Sequence, residues 1–244
     1  EGGGAFDQPV DGVGAAREGP GGEAAQRYSG ARNPQLGALA AAEPMTDILA
    51  RMDRAAGEFR SLSATMKRVH FTAVLSETEQ MDGVVRLKRV KGSTIGVIEF
   101  QQPETRTVFI RGKEVQIFYP KANTVEIYDT SKYTSNMDQI ILLGFGTSSA
   151  ELKKSYDLTD GGSQKINGVD TTRLDLTPRS PEMKSLITKI EMWFAEGQSN
   201  PLRVKFSEPS RNYEQVDYSH NQTNPPLPDS AFELKLPPNV KKIY

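Results

Sequence analysis

The stretch from Thr105 to Asp129, TRTVFIRGKEVQIFYPKANTVEIYD, decides the fold. It carries three short strand patterns. Thr107 to Ile110 is β-branched and aromatic. Val115, Ile117 and Tyr119 alternate with Gln116 and Phe118, and Val125 and Ile127 alternate with Thr124, Glu126 and Tyr128. A period of two over such residues marks a strand with one buried face. Arg111-Gly112-Lys113 and Pro120 to Asn123 supply the breaks, since Gly, Pro and Asn punctuate regular structure. Connections this short make neighbouring strands antiparallel. The stretch is therefore a meander, apolar on one face and wetter on the other. The rest of the chain is expected to extend this sheet or to cover it.

Upstream, Met66 to Ser76 and Met81 to Lys91 read as strands about the polar turn Glu77 to Gln80, and Thr94 to Phe100 follows the turn Lys91-Gly92-Ser93. Downstream strands are expected over Tyr156 to Leu158, Gln164 to Ile166, Thr171 to Leu176, Leu186 to Phe194, Leu202 to Phe206, Asn212 to Ser219 and Phe232 to Leu236. Asp160-Gly161-Gly162 reads as a turn. Asn167-Gly168 between two strand-like runs is a strong hairpin signal. No fixed-period repeat is present, which argues against solenoids and propellers. The pattern predicts a mainly β (α+β) fold. It has a single curved antiparallel sheet of about 10–11 strands, curling over its own apolar face.

Three stretches change to helical spacing. In Thr46 to Leu62, Ile48, Leu49, Met52, Ala55, Phe59 and Leu62 fall on one face, with Thr46 as a candidate N-cap. Such a stripe either covers a cavity or closes an ordinary core, and closing a core is its commoner use. Between Tyr133 and Phe145 the apolar set is Met137, Ile140, Ile141, Leu142, Leu143 and Phe145, with Gly144 as a stop. That is more apolar surface than one stripe needs, and it fits a cover over the concave face or a buried core helix equally. A shorter helix is expected over about Ser148 to Lys154.

Composition narrows the function classes. The formal net charge of -1 gives no pull toward nucleic acid or an anionic membrane surface, which also weighs against reading the aromatic and basic mixture of Phe109 to Tyr119 as a single-strand platform. There is no cysteine, so disulfides, thiolate metal sites and cysteine nucleophiles are excluded. The two histidines, His70 and His220, sit on or beside separate strands with no metal-ligand spacing. No phosphate loop, dinucleotide fingerprint or nucleophile elbow occurs. Neither a cofactor nor an enzymatic activity is expected. Residues 1–44 are rich in Gly and Ala without an apolar period, and read as a disordered tail or linker before a domain over 45–244. Within that tail, LGALAAA at Leu36 to Ala42 resembles the small-residue end of an export signal, without the apolar run that should precede it.

One charge stands out. In the second strand Val85, Leu87 and Arg89 share a face, and Arg86 and Lys88 take the other. Arg89 is thus a guanidinium on an apolar face. Either it snorkels to water at the strand end, or its donors find carbonyls in a buried setting.

The succession Gly83 to Arg89, Gln102-Pro103, Arg111 to Pro120, Leu176-Thr177-Pro178 and Phe232 to Val240 resembles the bacterial outer-membrane lipoprotein carrier family LolA, in order and spacing from about Thr46 to Val240. The resemblance implies a periplasmic protein with an unclosed β-barrel, a helical lid and an apolar cavity for lipoprotein acyl chains. It implies an inner-membrane donor complex and an outer-membrane acceptor as partners of a monomeric carrier. It also implies that the arginine of the Lys-Arg pair ending the second strand, here Arg89, reaches lid carbonyls and holds the closed state. The candidate lipid-binding and lid residues are Arg89, Val85, Leu87, Ile48, Met52, Phe59, Ile117, Ile140, Ile141 and Phe145. The alternative on the same fold is an interaction or sensor domain that binds a protein partner or another lipid.

Overall fold

The computed structural model describes residues 43–129 and 143–244. The tail expected over residues 1–44 falls outside this range except for Glu43 and Pro44. The helix expected between Tyr133 and Phe145 also falls outside it up to Leu142, and takes Ile140 and Ile141 with it.

The chain opens with helix α1 (Met45–Glu58) and a meander of β1 (Ser61–Thr72), β2 (Glu77–Val90), β3 (Ser93–Gln102), β4 (Arg106–Arg111), β5 (Glu114–Tyr119) and β6 (Thr124–Asp129). Helix α2 (Ser149–Ser155) leads into a second meander of β7 (Tyr156–Ile166), β8 (Val169–Pro178), the single helical turn α3 (Pro181–Lys184), β9 (Lys189–Ala195), β10 (Arg203–Ser207) and β11 (Tyr213–Thr223). A last short strand, β12 (Lys241–Ile243), completes one sheet in the order β12-β6-β5-β4-β3-β2-β1-β11-β10-β9-β8-β7. The sheet is antiparallel apart from β12, which lies parallel to β6. Its outermost strands, β12 and β7, are not paired with each other, so the barrel stays open.

Among the described residues twelve strands form, where about ten or eleven were expected. The addition is β12, whose Lys-Lys-Ile run has no alternation to announce it; it forms because the preceding segment delivers it to the edge of β6. That segment crosses the outer face of the sheet. Phe232 is buried there against Val97 and Phe109, in a 3₁₀ turn over Asp229–Phe232 rather than the strand expected from Phe232 to Leu236.

Other boundaries move for physical reasons. Helix α1 stops at Glu58, and Phe59 is already extended (φ -64, ψ 123). Leu62 continues the helical period by coincidence, for it is fully buried on β1 opposite Leu87. The N-cap is Pro44, not Thr46. The β1–β2 turn lies at 73–76, four residues before the polar run taken for it. Glu77 to Gln80 instead pair as strand, Glu77 opposite Thr72 and Gln80 opposite Val69, with their side chains in water. Beyond the body of a sheet both faces are wet, so polarity does not signal a turn. Asp160-Gly161-Gly162 is likewise not a reversal but a bulge inside β7, with the register shift between Asp160 and Ser163. Asn167 and Gly168 do make the expected hairpin, with φ of 50° and 82°, the two positive values a type I′ turn requires.

Two core clusters share the inner face. One packs Ile48, Leu49 and Met52 of α1 on Leu174, Leu176, Ile190, Met192, Phe194 and Val204 of the second meander. The other gathers Phe59, Phe145, Leu62, Met66, Val85, Leu87 and Phe100 on the first.

Candidate functional site

The inner face of the first meander is only partly filled. Alternation places Met66 on β1, Val85 and Leu87 on β2, Ile98 and Phe100 on β3, and Val108 and Ile110 on β4 toward the same side. Cross-strand pairs such as Val85–Ile98 and Ile98–Val108 bring them together. With Phe206, Val216 and Tyr218 from β10 and β11 they wall a cavity of about 960 Å³. Leu186 and Ile187 lie at the same cavity from the loop before β9. Helix α1 fills the other half of the concavity, so what remains is the volume that α1 does not reach.

At the end of this cavity, Phe145 meets the Tyr218 ring edge-on, with centroids 4.8 Å apart. Burial alone pushes the Tyr218 hydroxyl well above its ordinary pKa, so it stays neutral at any physiological pH. Phe145 follows Gly144 and precedes Gly146, and both glycines have positive φ. At Gly146 (φ +77) a Cβ would come within 2.6 Å of the Phe59 ring, so the turn lies flush on that ring only because the residue is glycine.

Arg89 joins these parts. Its Nη1 donates to the Ala56 carbonyl at 3.2 Å and its Nη2 to the Gly146 carbonyl at 3.0 Å. The guanidinium lies 5.3 Å from the centroid of the Phe59 ring. Its backbone N–H donates to the Arg60 carbonyl at 2.8 Å. Ala56 is in the last turn of α1, where carbonyls lack intrahelical donors and the helix dipole is negative. Asn224, at φ 58, serves the same end. Its Nδ2 donates to Glu58 O at 2.9 Å, and its Oδ1 accepts from the amides of Arg60 at 2.7 Å and Ser61 at 3.2 Å. From the helix side, Asp53 accepts from the Ser149 amide at 2.6 Å and its hydroxyl at 2.7 Å, placing a carboxylate at the start of α2. Helix α2 carries its own capping box, in which the Ser148 amide and hydroxyl each donate to Glu151 at 2.8 Å and hold that carboxyl below its ordinary pKa.

The profile of the family described as outer membrane lipoprotein carrier protein LolA matches residues 60–235, most of the chain. This chain belongs to the LolA family. No curated protein matches it. Solved structures similar to this LolA-family chain include the Mycobacterium tuberculosis lipoprotein LppX, at 15% identity and TM-score 0.46, covering 76% of this chain and 99% of that one. A LolA superfamily protein of Nitrosomonas europaea is similar at 14% identity and TM-score 0.38, with coverage of 79% and 99%. The Pseudomonas aeruginosa MucA/MucB complex is similar at 13% and 0.44, with 78% of this chain but 61% of that one.

The residues singled out from the LolA resemblance separate into groups. Val85 and Leu87 line the cavity. Phe59 and Phe145 belong to the same core cluster as Leu62 and Val216 and are not among the lining residues. Ile48 and Met52 sit in the other cluster, against Leu174, Ile190 and Met192, away from the cavity walls. Ile117 lies opposite Val108 on the next strand, outside the lining. Arg89 lies beside the C-terminus of α1. Sequence reasoning missed Asn224 and Asp53, and it missed Arg68 and Arg106, which also reach the cavity. The two arginines carried the signal that marked Arg89: each is two residues from an apolar member of the inner face, Met66 and Val108. Among the described residues no group of His, Cys, Asp or Glu is placed to hold a metal ion. No described helix is long and apolar enough to cross a membrane.

Proposed function

We propose that residues 45–244 are a non-enzymatic periplasmic carrier that shields lipoprotein acyl chains in the cavity between a donor complex at the inner membrane and an acceptor at the outer membrane, with residues 1–44 a tail outside the carrier domain. The observation that carries this reading is the apolar cavity of about 960 Å³ on the inner face. A methylene occupies roughly the 30 Å³ share of a water molecule in the liquid, so the space suits about 30 such groups, or two long acyl chains. At about 0.8 kcal/mol per buried methylene, partial occupancy offsets much of the cost of leaving a bilayer.

A carrier must also let go. Arg89 supplies the means: it ties α1 and the Gly146 turn to β2 through a few solvent-accessible polar contacts rather than through packed side chains. Such a clasp favours the closed, ligand-free state by a small amount, enough to oppose retention without preventing loading.

The test is a titration with a fluorescent fatty-acyl probe. One probe per protein, displaced by a triacylated lipopeptide, is the expected result. A folded protein that binds no probe at micromolar concentration would overturn the carrier reading and favour the interaction or sensor domain.

A further inference from the structure

The cavity wall is mostly apolar, and its charged members are two arginines and the two carboxylates of Glu208 and Glu214. Arg68 of β1 and Arg106 of β4 both line it. Two strands separate them, yet their side chains converge on one atom. The Met81 sulfur lies 3.7 Å from Arg68 Nη1 and 2.9 Å from Arg106 Nη2. A thioether is a weak acceptor and leaves a guanidinium largely unsatisfied.

The two arginines differ in how their charge is met. Arg68 forms an ion pair with Glu214, which also accepts the His70 Nδ1 contact at 2.7 Å. Arg106 makes no ion pair among the described residues; it lies 4.9 Å from the centroid of the Phe100 ring and beside the neutral Tyr119 hydroxyl, and its Nε is buried with no acceptor. The carboxylates nearby are engaged elsewhere. Glu126 accepts from the Tyr119 and Tyr128 hydroxyls at 3.3 and 2.8 Å. Glu208, at the rim, accepts from Ser210 at 2.9 Å. A guanidinium does not lose its proton in a protein, so Arg106 keeps an uncompensated charge on the wall of an apolar cavity. No carboxylate among the described residues pairs with it, and an anionic ligand would relieve it.

We infer that the cavity accepts an anionic amphiphile, with a phosphate or carboxylate head held by Arg106 beside Arg68 and its chain laid along Val85, Leu87, Val108 and Ile110. This rests on the acyl-carrier reading and names the ligand class of that same cavity. A guanidinium fork matches either head in a bidentate manner. Inorganic phosphate shares the head chemistry, but it leaves the apolar volume empty and gains nothing from it.

The experiment is calorimetric titration of the full chain with dodecyl phosphate, laurate, dodecanol and inorganic phosphate. Both anionic amphiphiles are expected to bind at least about tenfold more tightly than dodecanol. In Arg106→Gln the ratio of laurate to dodecanol affinity is expected to fall toward one, and in Arg106→Lys, which keeps the charge but not the fork, to an intermediate value. Circular dichroism of each variant establishes that it is folded, and the wild-type ratio stands as a test whichever variants fold. Equal affinity of the wild type for laurate and dodecanol, or an unchanged ratio in folded Arg106→Gln, overturns the inference while leaving the acyl carrier intact. Inorganic phosphate binding as tightly as dodecyl phosphate overturns it in favour of a plain anion site. Failure of every amphiphile to bind sinks the carrier reading as well.

Discussion

Replacing Arg89 by Leu removes the clasp and little else. The backbone N–H of residue 89 still reaches Arg60 O, so the end of β2 stays anchored. What is lost is a pair of charged hydrogen bonds, at 3.2 and 3.0 Å, and the contact with Phe59. Charged hydrogen bonds contribute about 1.5–3 kcal/mol each when well shielded, and an exposed cation over an aromatic ring about 0.5 kcal/mol. Arg89 is exposed, so water competes for its donors and the sum is nearer 2 kcal/mol. That shifts the balance between closed and open states about 30-fold. If ligand enters the open state, the apparent affinity for an acyl probe rises by up to that factor, and transfer to acceptor vesicles slows. Probe titration and stopped-flow transfer measure the two effects. Arg86→Leu is the control, because Arg86 pairs with Glu99 on the opposite face of β2. Wild-type affinity and wild-type transfer rate in Arg89→Leu would refute the reasoning and leave the arginine as a structural tie.

Asn224→Ala strips a donor from Glu58 O and the acceptor from two amides; a loss of about 1–3 kcal/mol is expected, seen as a fall in Tm of about 3–10 °C by calorimetry. Asn224→Asp, which keeps the acceptor, should fall in between. Gly146→Ala combines a positive φ with a Cβ 2.6 Å from Phe59. It should cost distinctly more than Gly112→Ala, where φ is +56 but the space is open and strain alone is of the order of 1 kcal/mol; urea unfolding of the two separates clash from strain. At the start of α2, Ser148 lowers the Glu151 pKa, so the carboxylate stabilises the fold above the ordinary glutamate value and loses that effect as pH falls through the lowered one. Glu151→Gln should therefore be less stable than wild type at pH 7, by the order of 0.5 kcal/mol, with the gap closing toward pH 3 in urea titrations.

The sheet was legible wherever one of its faces is dry. Val85, Leu87, Ile98 and Val108 alternate because water lies on one side and core or cavity on the other, and the same alternation exposed Arg89. It failed at Glu77 to Gln80, where both faces are wet, and at Lys241 to Ile243, where the pairing partner rather than the pattern makes the strand. The site was legible in part. Val85 and Leu87 follow from strand parity. No local rule says that α1 fills one half of the concavity and leaves the other empty, because that depends on which way the chain turns at Phe59. Nor does spacing reveal Asn224, which is 166 residues from the helix end it caps. Arg68 and Arg106 were within reach of parity alone, but each is unusual only once Met81 is known to lie between them.

The seam between β1 and β11 has a kinetic consequence. Each meander pairs strands that are close in the chain, whereas the seam joins Leu62 to Thr223 and is the one place where the two halves of the sheet are stitched. Closing a loop of that length carries an entropy cost that rises with its logarithm, so local hairpins form ahead of it. The cavity takes walls from β1 to β4 on one side of the seam and from β10 and β11 on the other. No binding space therefore exists in either meander alone. During refolding, probe fluorescence should lag behind the far-ultraviolet β signal, because the cavity is complete only once the seam has closed.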